Sequence, residues 1–179
     1  MPSKVAFSKQ HSEIEKLALY YYDVEGSLRL YFSPDAPSYS VRFAPYSRAE
    51  VDCKLDERLA ELELASALTA LSAIEAAFRI DYLQRCYLRK KDPLSRAFRH
   101  LHKEKETKVS LEDDIFEIWK EHTTGASALI GNLRGAFKFR HWLAHGRYWV
   151  PRFPKYDFQA ILILAESVLN GLPLLGVEP

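Results

Sequence analysis

Glycine and cysteine are both scarce in this chain of 179 residues. There are seven glycines, gathered mostly in the last third, and two cysteines. Cys53 and Cys86 stand far apart and form no C-x-x-C pair, which excludes a disulfide framework and a cysteine-rich zinc site. No run is apolar and long enough to span a bilayer. The opening "MPSKVAFSKQHSEIEKL" lacks the apolar centre of a secretory signal. The expectation is a soluble, cytoplasmic protein without a membrane partner. The charge has no dominant sign either: Lys plus Arg number 25 and Asp plus Glu 24, so any basic surface must be local. Internal repeats and low-complexity linkers are absent, and the length suits one domain with a real core.

What is present points to helices. "EIEKLALYYYDV" (13–24) reads as a short helix, and "SLRLYFS" (27–33) as a strand or a continuation of that helix. The proline- and serine-rich stretch 33–47 reads as loop. Ser47 and Glu50 then form an S-x-x-E capping box. From Arg48 to about Lys90 there is neither Gly nor Pro, and Ala, Leu and Glu abound. Leu55, Leu59, Leu62, Leu68, Leu71, Ile74, Phe78 and Tyr82 recur at three- and four-residue steps. This predicts one very long helix, or two with a bend. Asp92-Pro93 starts another, with Pro93 at the first helical position, and it carries the basic stretch with His100 and His102, expected to be exposed. Ser110 caps the next, with Glu112, Asp113 and Asp114 in its first turn. A further helix covers about 126–145 and stops at Gly146, and Asp157 caps the last one, closed by Gly171 and Pro173. The fold class is all-α, a helical bundle. Residues 1–46 form an N-terminal extension packed on it, because "LALYYY" is too apolar to remain in water. Residues 47–179 form the bundle proper.

The helix at 126–145 contains "FKFRHWLAH". At 100° per residue, Ser127, Arg134, Lys138, His141 and His145 fall in one narrow sector. A solvated face usually mixes acids with bases, but this helix has no Asp or Glu. A basic stripe of that kind suits a phosphate-bearing ligand; it is equally the outer face of an amphipathic helix. Arg140 lies off the stripe, beside Leu133, Phe137 and Ala144. An Arg on an apolar face needs a partner or marks a cleft. His141 and His145 are spaced i, i+4, as zinc ligands can be, but Trp142 stands where the zincin pattern requires Glu, and no third ligand follows nearby. No metal and no cofactor are expected.

Arg140-His141-Trp142-Leu143-Ala144-His145 matches R-x4-H with a polar residue after the Arg, near the end of the penultimate helix. Together with "SAIEAAFRIDY" (72–82), it resembles the HEPN superfamily (higher eukaryotes and prokaryotes nucleotide-binding domain) over about residues 48–170. The resemblance implies a metal-independent endoribonuclease, a toxin or phage-defence effector, acting on RNA as a homodimer whose two motifs face one cleft. An antitoxin or regulatory partner would accompany such a toxin. Arg140 and His145 carry over as catalytic, and His141 takes the variable polar position, where many members have Asn or Asp. Some members bind nucleotides or act as scaffolds without cleaving RNA, so the alternatives are a non-catalytic nucleotide- or RNA-binding domain and a helical protein-interaction module.

Beside the motif, Lys138, Arg134 and His141 are candidate substrate contacts, and Tyr148 a residue that stacks on a base or packs in a core or interface. Glu75 and Asp81, on the long helix, are candidates to hold Arg140 from behind, or members of a structural ion pair.

Overall fold

A computed structural model describes residues 5–8 and 10–176; the outer limits of the two expected segments, residues 1 and 179, lie outside the described residues. Seven helices and no strand occur among the described residues: α1 (Ile14–Tyr31), α2 (Tyr39–Arg42), α3 (Arg48–Tyr87), α4 (Pro93–Lys105), α5 (Phe116–His122), α6 (Ala126–Ala144) and α7 (Phe158–Gly171). The fold is all-α, as the Gly- and Pro-free run and the caps require. The long segment is one continuous helix of 40 residues, with the Ser47–Glu50 capping box formed in both directions.

α3 is the spine. Its second half buries Ala67, Ala70, Leu71, Ala73, Ile74, Phe78 and Tyr82, which pack against α4, α6 and α7. The alanines let neighbouring helices approach closely, and the large side chains fill the gaps between them. Phe78 meets Phe116 edge-on at 5.0 Å and Trp119 at 6.1 Å. The first half of α3 belongs to a separate small cluster, in which Phe32, Phe43 and Val51 are buried together.

Local structure differs from expectation at four places. α1 runs past residue 24 to Tyr31, so 27–31 continue the helix. The stretch 33–47 holds one helical turn, α2. A π-turn, Leu111–Ile115, precedes α5, so Ser110 caps that turn by accepting from Asp113 N–H. His102 is half-buried, its Nδ1 lying 2.9 Å from the Tyr82 hydroxyl, although the charged residues around it suggested an exposed surface. Replacing Ser110 by Ala removes one capping bond and is expected to lower stability by about 0.5–2 kcal/mol, measured by urea unfolding.

α1 does pack on α3 and α7. Ile14 is buried, Tyr21 lies 4.4 Å from Phe158, and Tyr22 donates to Gln159. Yet Leu19 and Tyr20 remain 65% and 63% exposed, so burial takes only one side of the apolar segment. Removing residues 1–32 uncovers Phe158 and the α3 alanines; the truncated protein is expected to melt lower and to aggregate, as read by scattering during a thermal ramp.

Candidate functional site

α6 is anchored by Ile130, Leu133, Ala136, Phe137, Phe139, Trp142 and Leu143, all buried. Its end is a Schellman motif: Gly146 N–H donates to Leu143 O at 3.2 Å and Arg147 N–H to Trp142 O at 3.0 Å. Gly146 takes φ 76°, as expected of a glycine after a helix. His145 is the C-cap residue itself, one step beyond the last helical residue.

His141 and His145 are exposed, with ring centroids 4.2 Å apart. Trp149 stands 6.0 Å from the first and 6.4 Å from the second. Tyr148 meets Trp149 edge-on at 4.7 Å and is itself 83% exposed, so its ring is not part of the core. Trp142 turns inward, and its Nε1 donates to the Trp149 carbonyl at 2.8 Å, tying the post-helical turn to α6. Lys138, one turn before His141, is exposed. The two imidazoles and Lys138 thus share one face with no carboxylate of α6 near them. The acid-free run extends further than α6, from Ala126 through Tyr156.

The basic stripe is nonetheless partly neutralised from other helices, which a single-helix reading cannot see. Arg134 donates to the Glu117 carboxylate of α5 and to the Glu112 carbonyl, so it is committed to holding α5 on α6. Arg147, just past the helix, makes two hydrogen bonds to Glu61 of α3 at 2.8 and 3.1 Å. Lys138, Arg152 and Lys155 form no ion pair among the described residues, and Lys155 stands 5.6 Å over the Trp142 ring.

Arg140 sits elsewhere. Its Nη2 lies 2.8 Å from Glu75 Oε2, while the other oxygen of Glu75 accepts from Arg79 Nε at 2.8 Å. One carboxylate therefore bridges two guanidiniums, and Arg79 continues to the Val109 carbonyl. Arg140 Nε is buried without a hydrogen-bond partner. The rest of the guanidinium borders an open cleft of about 380 Å³ with Ser110, Leu111, Glu112, Asp113 and Phe137. Three acidic residues, Glu75, Glu112 and Asp113, thus line the cleft with Arg140, and the cleft of a single chain is not itself a phosphate pocket.

Asp81 does not reach Arg140. It is fully buried, accepts from Arg85 Nε at 2.8 Å and from Leu175 N–H at 2.8 Å, and leaves Oδ2 unpartnered. Burial pushes its carboxyl up to about 6, against the opposing hydrogen bonds from Leu175 and Arg85. Arg85 also donates to the Pro173 carbonyl at 2.6 Å and lies over the Trp119 ring at 5.3 Å. This group fastens the segment after α7 to the core. Its only sequence signal was an i, i+4 Asp–Arg spacing, which is ordinary on helix surfaces.

No group of three or more His, Cys, Asp or Glu side chains disposed to hold a metal ion occurs among the described residues. Cys86 is buried, and its thiol is pushed up to about 12 by burial, so it is no nucleophile; Cys53 is exposed. No helix is long and apolar enough to cross a membrane. Comparison of the chain with protein-family models, with curated proteins and with solved structures returns no match.

Proposed function

We propose that this chain cleaves RNA without a metal, in the manner the R-x4-H resemblance implies, as a homodimer. The observation that carries the reading is the exposed His141–His145 pair, rings 4.2 Å apart, on a face with Lys138 and no acid of its own helix. RNA brings its own nucleophile. One imidazole takes the 2′-OH proton as that oxygen bonds to phosphorus. The P–O5′ bond breaks, and a protonated group returns a proton to the leaving 5′-oxygen. The products are a 2′,3′-cyclic phosphate and a 5′-hydroxyl. An imidazole can accept or donate a proton and suits either role. A cation must meet the charge developing on the phosphorane.

Arg140 is the motif's cation, and Glu75 holds it in one orientation. In one chain it faces the acid-rimmed cleft, away from the imidazoles. A two-fold axis beside α6 would bring one protomer's Arg140 toward its partner's histidines, which is the chemical reason for a dimer. The separation of Arg140 from the imidazoles within one chain favours a second reading: an RNA- or nucleotide-binding domain, or a helical protein-interaction module, that does not cut.

Incubating the purified protein with RNA in EDTA, beside an Arg140→Ala, His145→Ala protein, separates the two. Cleavage that survives EDTA and disappears in the double variant supports the nuclease; binding without cleavage supports the second reading. DNA, or RNA with 2′-O-methyl at the scissile nucleotide, should remain intact because the nucleophile is missing or blocked. Activity that returns only with added Mg²⁺, or an active species that scatters light as a monomer, would refute the site assignment.

A further inference from the structure

Arg147 is one of three non-glycine residues with positive φ among those described, at 60°. A left-handed backbone is disfavoured for a long side chain and persists where the surroundings enforce it. Two things enforce it here. The Schellman bond pins the Arg147 N–H to Trp142 O, and the guanidinium is pinned by the two bonds to Glu61 on α3. The chain then turns outward and presents Tyr148 almost wholly to solvent, while Trp149 folds back toward the histidines. A strained residue, bonded on both sides, thus holds a bare aromatic ring against the edge of Trp149, whose own ring stands 6.0 and 6.4 Å from the two imidazoles. Burial does not account for that ring, which supports no core contact beyond the edge of Trp149.

We propose that Tyr148 is a nucleobase-binding ledge, positioned by the Arg147–Glu61 clamp, on which one base of a bound RNA stacks beside the phosphate facing His141 and His145. This rests on the RNA reading above. A flat ring with open faces accepts any base, since every base has a π-face. Lys138, exposed on α6 one turn before His141, is available to meet the backbone phosphate. Tyr148 is then a binding residue, while Arg147 and Glu61 act through it as positioning residues.

The test uses the intact protein and a 2′-O-methyl RNA decamer, which cannot be cut, carrying one 2-aminopurine moved stepwise along it. Stacking quenches that fluorophore, and because the ring accepts any base the wild-type protein should quench it wherever it stands along the decamer. Tyr148→Ala should abolish the quench and weaken binding about 5- to 150-fold, the range that losing one stacked base produces. Tyr148→Phe and Tyr148→Trp should restore both. Glu61→Gln should reduce the quench while helix content by circular dichroism is unchanged, and the pair Glu61→Arg, Arg147→Glu should recover part of it. An abasic decamer should bind wild type and Tyr148→Ala equally.

Equal binding and quenching by Tyr148→Ala would overturn the ledge. So would a change from dimer to monomer in that variant, because the ring would then pack on another copy. No binding of any RNA by the wild type overturns both the ledge and the RNA reading. A Tyr148-dependent quench without cleavage of unmodified RNA leaves the ledge standing and removes the nuclease. Cleavage without such a quench does the opposite.

Discussion

An Arg85→Ala protein should lose about 3–5 kcal/mol of stability, the range seen when one partner of a buried ion pair is removed. Arg85 is 6% exposed and Asp81 0%, so neither charge has water to fall back on. Truncating Arg85 removes its bonds to Asp81, Ser95 and the Pro173 carbonyl at once. Asp81 would keep only Leu175 N–H. For a chain of this size the loss corresponds to a melting point about 6–20 °C lower. Asp81→Asn should cost much less. An amide keeps an acceptor oxygen for Leu175, and Asp92 still lies 3.4 Å from Arg85.

The pH dependence of this deficit has a definite sign. Burial raises Asp81 from 3.8 to about 6. Between about pH 4 and 6 the native state therefore binds a proton that the unfolded chain does not, and this group's contribution to stability falls as pH rises through about 6. Without Arg85 to favour the ionised form, the carboxyl moves further up. The deficit of Arg85→Ala should thus be deeper at pH 7.5 than at pH 5, where both proteins carry the proton. Thermal melts at the two values decide it; a deficit under about 1 kcal/mol, or one that grows toward acid, would mean that the pair does not hold the end of the chain as described.

If the chain cleaves RNA as proposed, His145→Ala should slow that cleavage by about 10² to 10⁴, because it would remove a proton-transfer group and leave substrate binding largely intact. His141→Ala should match it if the second imidazole donates the other proton, a distinction made concrete by the 4.2 Å ring separation. Arg140→Lys should also be strongly impaired, since Lys keeps the charge and loses the planar fork. The informative companion is Glu75→Gln. It preserves shape and one acceptor but removes the charge that bridges Arg140 and Arg79. If Glu75 orients Arg140 for the reaction, the rate falls by up to about 10²-fold at unchanged KM, the scale on which small misplacements act. If the pair is only structural, the melting point moves and the rate does not. Single-turnover rates with excess enzyme, beside the melts, separate these outcomes.

The sequence by itself determined the helices and most of their ends. The Ser47–Glu50 box, Asp92-Pro93, Ser110, Gly146 and Asp157 all act where local spacing puts them, because capping and chain breaking are decided within a few residues. That His141 and His145 share one face also followed from helical geometry, while the packing of α6 decides that this face is exposed. Of the charge partners, only Glu75 for Arg140 was a candidate in the sequence, and that pair forms. Glu61 for Arg147 and Glu117 for Arg134 did not follow; other helices supply them, so an acid-free α6 looked more electropositive than the folded surface is. Likewise the Asp81–Arg85 spacing was legible, but its burial was not, because that depends on the segment after α7 folding back over α3. Backbone caps are short-range and written in order along the chain. Electrostatic neutralisation and desolvation arise between segments far apart in sequence, and only tertiary packing decides them.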